Sequence, residues 1–213
     1  MSTSPNQRSI KIGEDERGGW SSDRPRKSGS APRPADVSVR CNVLSPASQL
    51  RYSPGSLLMI VSGSGAARDA FAARVLESGA LVLSLDRVKG LLTGKGVADE
   101  IADAKAPELL DAAVTKRLDA NETVVLAASG LDAEERDRYV RMAHKLRRPR
   151  HLILVEAGRE EVDDEARPAL NDMRRRLDAG ELGAEGFHTA LRLGGQSAAE
   201  LKRIVFRPEP RDD

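Results

Sequence analysis

The sequence predicts an α/β fold of three layers, with a mostly parallel sheet between two layers of helices. Two observations carry that prediction. Apolar runs of strand length alternate with helical patterns of about 12–20 residues, the rhythm of βαβ units. Several of those runs, such as Leu57 to Val61 and Ala80 to Leu85, are apolar almost throughout. Strands buried on both faces read that way, whereas half-exposed strands alternate.

Composition narrows the class. The chain has 213 residues, a formal net charge of +1 and 3% aromatic residues. One domain of ordinary size plus a tail fits that length. The near-zero charge gives no global field towards nucleic acid or an anionic membrane. Cys41 is the single cysteine, so no internal disulfide framework exists and a reducing compartment fits. No run has the length of a membrane span, and the N-terminus lacks the apolar segment of a secretory signal. The expectation is a cytoplasmic protein without membrane attachment.

Residues 1–36 hold Pro, Gly, Ser and mixed charge, with Ile10 and Trp20 nearly alone as large apolar groups. Too little apolar area is available there to offset the entropy of ordering, so the segment reads as a disordered tail. Its Arg24-Pro25-Arg26-Lys27 cluster is either a solvated run or a contact for an anionic partner. The domain is expected over 37–207, with 208–213 a frayed end. Residues 37–44 alternate like a short edge strand, and 45–55, with two prolines, read as a loop.

The first firm strand is 56–62. A helix over 66–78 follows, with Phe71, Ala72, Val75 and Leu76 on one side and Gly79 at its end. A second strand (80–85) leads to Asp86-Arg87 and a short helical segment. The Gly94-Lys95-Gly96 turn after it lacks the upstream glycine and strand context of a phosphate loop. Residues 97–119 are helical with an expected break at Pro107, and Leu109, Leu110, Ala113, Val114 and Leu118 form the buried stripe. A third strand (122–128), a charge-rich helix (131–146) and a fourth strand (150–155) follow. Residues 158–183 read as helical and polar, with Arg174-Arg175-Arg176 inside. Short strands at 187–193 and 203–206 flank a Gly194-Gly195 turn and a short helix at 197–201.

The first strand and helix are joined by Ser62-Gly63-Ser64-Gly65. Strand, small-residue turn and helix form the layout of a phosphate-binding loop, in which backbone N–H groups and a helix N-terminus cradle phosphate oxygens. The nucleotide-binding pattern G-x-x-x-x-G-K-[ST] would place Gly at 62 and 67, Lys at 68 and a hydroxyl at 69. The chain has Ser62, Ala67, Arg68 and Asp69. Two readings stand: a phosphate loop with altered chemistry, using Gly63, Ser64, Gly65 and Arg68, or only a tight strand-to-helix turn. In parallel sheets, ligands bind beyond the carboxyl ends of the strands. That rule gathers Ser62–Arg68, Asp86–Arg87 and Ala128–Gly130 around one crevice.

Residues from about 54 to 157 resemble the P-loop kinases typified by polynucleotide 5′-hydroxyl kinases, including the kinase module of bacterial polynucleotide kinase-phosphatases. Three stretches carry the resemblance: SLLMIVSGSGAARDAFA, LSLDRVKGLL and RLDANETVVLAASGLDAEERDRYVRMAHKLRRPRHLILVEA. It implies a P-loop NTPase-like fold, ATP and Mg²⁺ as cofactors if the protein is active, and a nucleoside triphosphate and a nucleic-acid 5′ end as partners. By resemblance, Asp86 would accept the proton of the acceptor hydroxyl and Arg87 would contact acceptor phosphate. One or more of Arg167, Arg174, Arg175 and Arg176 would serve as lid arginines.

The departures bear on the chemistry, because phosphoryl transfer rests on positioning and charge neutralisation. Ala67 adds a side chain where glycine lets backbone approach phosphate. Arg68 is a planar fork, not a slim point charge. Asp69 replaces the hydroxyl that holds Mg²⁺. A carboxylate about 4 Å from phosphate at an effective dielectric near 20 is repelled by roughly 4 kcal/mol before screening. The third strand ends in Leu126-Ala127-Ala128-Ser129, where the family has a carboxylate. The expectation is a degenerate, kinase-like binding or regulatory module, a pseudoenzyme with weak or lost phosphoryl transfer that requires no cofactor unless it is active. The alternative is a divergent active kinase acting on a polynucleotide 5′-hydroxyl or a small hydroxyl acceptor.

The bland readings have equal standing: Asp86-Arg87 as a helix cap with a solvated neighbour, and Arg174–Arg176 as a solvated helix face. His144, His151 and His188 are widely spaced and with Cys41 make no metal-ligand pattern, so no metal site is expected.

Overall fold

The computed structural model describes residues 35–76 and 82–208. Most of the expected tail, the end of the first helix, the start of the second strand and residues 209–213 lie outside the described residues. All elements belong to one unit, Asp36–Asp213.

The chain forms β1 (Asn42–Val43), β2 (Gln49–Tyr52), β3 (Leu57–Val61), α1 (Gly65–Val75), β4 (Val82–Leu83), α2 (Leu85–Thr93), α3 (Asp99–Asp119) and β5 (Val124–Ala128). It continues through α4 (Ala133–Lys145), β6 (Arg150–Val155), α5 (Arg167–Asp178), β7 (Thr189–Leu193), α6 (Gly195–Glu200) and β8 (Arg203–Phe206). Six strands form a parallel sheet in the order β1-β7-β6-β3-β5-β4. Helices cover both faces, giving the three-layer α/β/α architecture of a P-loop NTPase-like domain.

The central strand shows why. All five residues of β3 are fully buried. Leu57, Met59 and Val61 pack on one face with Leu110, Val114 and Leu118 of α3, Tyr139 and Val140 of α4, and Leu170 and Met173 of α5. Leu58 and Ile60 pack on the other with Phe71, Ala72 and Val75 of α1 and with Leu201. Each such side chain contributes about 1.5–3 kcal/mol by leaving water. The last residues of β3 and β5, Val61 and Ala128, lie in register with Leu154, next to last in β6, so the turn after β3 emerges between the ends of β5 and β6.

Four sequence expectations need correction. Residues 45–55 are not all loop: β2 lies within them and pairs with β8 in a second, two-stranded parallel sheet. Its inward Leu50 and Tyr52 fill the α1 side of the core. The helix at 97–119 does not break at Pro107, because Ala102, Ala106, Leu110, Val114 and Leu118 form one buried stripe across it. Burying that stripe outweighs the roughly 3 kcal/mol a mid-helix proline costs. Leu109 is correspondingly not in the stripe and is 46% exposed. In the second strand, Leu85 already belongs to α2, whose N-cap is Ser84: its Oγ accepts the Arg87 N–H at 3.2 Å. Asp86 is therefore a first-turn residue, not the cap. The segment 158–183 holds α5 between short 3₁₀ turns, not one long helix.

Candidate functional site

Only Ser62, Gly63 and Ser64 separate β3 from α1. The helix thus already covers positions that the nucleotide-binding pattern gives to its loop. Ser64 caps it, its Oγ accepting the Ala67 N–H at 3.3 Å, while Ser62 Oγ accepts the Ser64 N–H at 3.2 Å. Among the first-turn donors this leaves the N–H groups of Gly65 and Ala66 without intrahelical partners, and both residues are exposed. Gly63 is covered from the side: a Cβ there would lie 3.1 Å from Val162 Cγ1 and 3.2 Å from Leu170 Cδ2.

Arg68, in the lysine position, is buried. Its Nε donates to Asp69 Oδ1 at 2.8 Å, and its Nη2 lies 3.8 Å from Asp86 Oδ2. Both carboxylates that the sequence singled out therefore engage the one cation of the turn. Arg87 folds back, its Nη1 donating to the Val82 carbonyl at 3.0 Å.

Arg68 and Asp86 face a cleft of about 610 Å³. Leu85, Pro107, Leu110, Leu126 and Tyr139 supply its apolar wall, and Ala127, Ala128 and Ser129 the end of β5. Asp132, Glu134, Glu135 and Arg138 enter from the start of α4. The expected crevice is thus formed in part. Arg68, Asp86, Ala128 and Ser129 meet there, whereas Ser62–Gly65, Arg87 and Gly130 do not line it.

Sequence reasoning missed Glu135. Ser129 Oγ donates to its Oε2 at 2.7 Å and Gly130 N–H to the same oxygen at 2.9 Å. A carboxylate therefore does sit at the end of β5, supplied by α4 and not by the strand. Gly130 has φ +63° and a Cβ there would lie 2.0 Å from Val61 Cγ1, so the turn requires glycine. Burial, with the Asp111 charge behind it, pushes the Tyr139 hydroxyl up to about 12.

The lid candidates are all ion-paired. Arg174 Nε reaches both oxygens of Glu156 at 2.8 and 3.0 Å, and Arg192 holds the same carboxylate at 2.8 Å. Burial raises Glu156, but the two arginines outweigh it and leave its acidity above the ordinary range, with a lowered pKa. Arg175 pairs with Asp172 at 2.8 Å, Arg176 with Glu185, and Arg167 with Asp164. Arg159, Arg167 and Arg174 line a second pocket of about 380 Å³, with Val162, Leu170 and Asn171. Among the described residues no His, Cys, Asp and Glu cluster could hold a metal ion, and no helix is long and apolar enough to cross a membrane.

Of the comparisons with known proteins, the family model bears on the fold. A search of curated proteins gives no match. Among solved structures, one is described as a "putative kinase" from Chloroflexus aurantiacus. It is 14% identical, covers 67% of this chain and 86% of its own, and superposes with a TM-score of 0.41. The family model of the AAA domain matches residues 57–178, from the first residue of β3 to the last of α5 and more than half of the chain. The chain belongs to this AAA domain family.

Proposed function

We propose that the protein is a kinase-like module of the P-loop type in which phosphoryl transfer is weak or lost, and that it works by binding. The observation that carries this reading is the Asp69–Arg68–Asp86 arrangement. A triphosphate needs the turn's cation, and here two carboxylates hold it. Phosphate bound at the Arg68 Nη groups would sit beside both negative charges. The short turn offers few backbone donors to compensate, and each lid arginine would have to leave a carboxylate.

The test is transfer of labelled phosphate from Mg·ATP to a 5′-hydroxyl oligonucleotide and to small hydroxyl acceptors. The reading expects no transfer above background. Transfer abolished by Asp86→Asn overturns it. A second reading, a divergent active kinase of a polynucleotide 5′-hydroxyl or small acceptor, is favoured by one observation: Asp86 opens onto a cleft large enough for an acceptor. The same assay decides between them. The nucleoside triphosphate, Mg²⁺ and the 5′ end are partners only under this second reading.

A further inference from the structure

We propose that the 610 Å³ cleft takes a small hydroxylated amine, an amino alcohol or amino sugar. The proposal rests on the reading that this cleft is the ligand site, and it needs no nucleotide. The volume lies within the range of small-ligand sites, and the wall is divided between apolar side chains and charged or polar ones.

Two groups inside the cleft are set for a hydroxyl. The Arg68 side chain is only 7% exposed, and Nε is its one hydrogen-bonding nitrogen among the described residues. The Nη groups make no hydrogen bond among the described residues, and Nη2 is ion-paired to the Asp86 carboxylate across 3.8 Å. A hydroxyl between them accepts from the guanidinium and donates to the carboxylate. This buried, part-satisfied cation is independent of the acidic groups that follow.

The rest of the cleft is set for a cation. Asp132, which caps α4 by accepting the Glu134 N–H at 3.1 Å, lines it together with Glu134 and Glu135 of the first turn. Glu135 keeps Oε1 without a hydrogen bond among the described residues, since Ser129 and Gly130 both use Oε2. Arg138, the other lining cation, is taken up by Asp111. Tyr139 belongs to the same wall. The surplus of carboxylates over free cations disfavours a phosphate or carboxylate ligand and favours an ammonium.

Calorimetric titration with glucosamine and with glucose, at pH 7 and low salt, tests this. Glucosamine is expected to bind at least tenfold more tightly than glucose, and the difference to shrink as salt is added. The double variant Asp132→Asn, Glu134→Gln is expected to lose about tenfold in glucosamine affinity, the size of two partly exposed ion pairs. Asn still caps α4, so the helix is retained, and an unchanged thermal melt checks it. Equal binding of glucosamine and glucose, absence of glucosamine binding, or an affinity unmoved in the variant overturns the proposal. ATP titrated into the same sample reads the nucleotide question separately, so either can fail alone.

Discussion

Arg68 decides the chemistry of the turn, because this one side chain meets two carboxylates with opposite expected roles. Asp69 was expected to repel nucleotide, and Asp86 to act as a base; in the fold both neutralise the same guanidinium. Replacing Asp69 by Ser frees Nε and removes a charge. ATP binding is therefore expected to become measurable by calorimetry at millimolar ATP, as part of the roughly 4 kcal/mol repulsion is removed. Gly130→Ala is expected to destabilise by at least about 2 kcal/mol in urea unfolding, since it combines a left-handed backbone with a Val61 clash. The residues legible in the sequence here were those tied to a motif: Arg68, Asp69 and Asp86. Glu135 was not legible, because it is one charge among several in Glu134-Glu135-Arg136-Asp137-Arg138, and no spacing rule marks which one turns back onto a strand end.

At the scale of elements, α4 and α5 are joined by a clamp that local patterns could not reveal. Arg136 is 2% exposed and grips Glu185 with two bonds, Nε at 2.6 Å and Nη2 at 2.7 Å. Its Nη1 donates to the carbonyls of Gly130 and Leu131, and Arg176 of α5 reaches the same Glu185. Removing one member of a buried pair leaves the other uncompensated. Glu185→Gln is thus expected to cost about 3 kcal/mol in urea unfolding. A loss of under about 1 kcal/mol would mean the clamp is no more than a surface pair. The partners are 49 residues apart, so pairing emerges only with the fold. The strands were legible where both faces are buried, as at β3 and β6. They were missed where a four-residue strand such as β2 depends on a distant partner, β8.

At the scale of the whole molecule, the three histidines that looked scattered in the sequence lie around Arg150. His144 Nδ1 is 3.1 Å from its Nη1, His188 Nδ1 accepts its N–H at 3.2 Å, and His151 follows it in β6. Burial, reinforced by His188 and Arg150, lowers His151 to about 4, and its Nε2 is buried without a partner. The native value lies below the unfolded one, so the unfolded chain takes up the proton first. Stability is full above about pH 6.5 and falls as the pH drops towards 4. His151 alone is expected to remove about 2 kcal/mol between pH 7 and pH 5, read by urea unfolding, and His151→Gln to flatten that slope. Burial also lowers His188 and adds in the same direction. Glu156, lowered by its arginines, contributes stability that is lost only at still lower pH. The three-layer architecture was legible from alternation and buried runs. What the cleft binds was not, because its charge balance arises from α1, α2 and α4 meeting in space. Whether the turn holds a nucleotide is read by calorimetric titration of the protein with ATP, with and without Mg²⁺. The Asp69–Arg68–Asp86 arrangement predicts no binding at millimolar ATP and no gain with Mg²⁺; binding that strengthens when Mg²⁺ is added would contradict it.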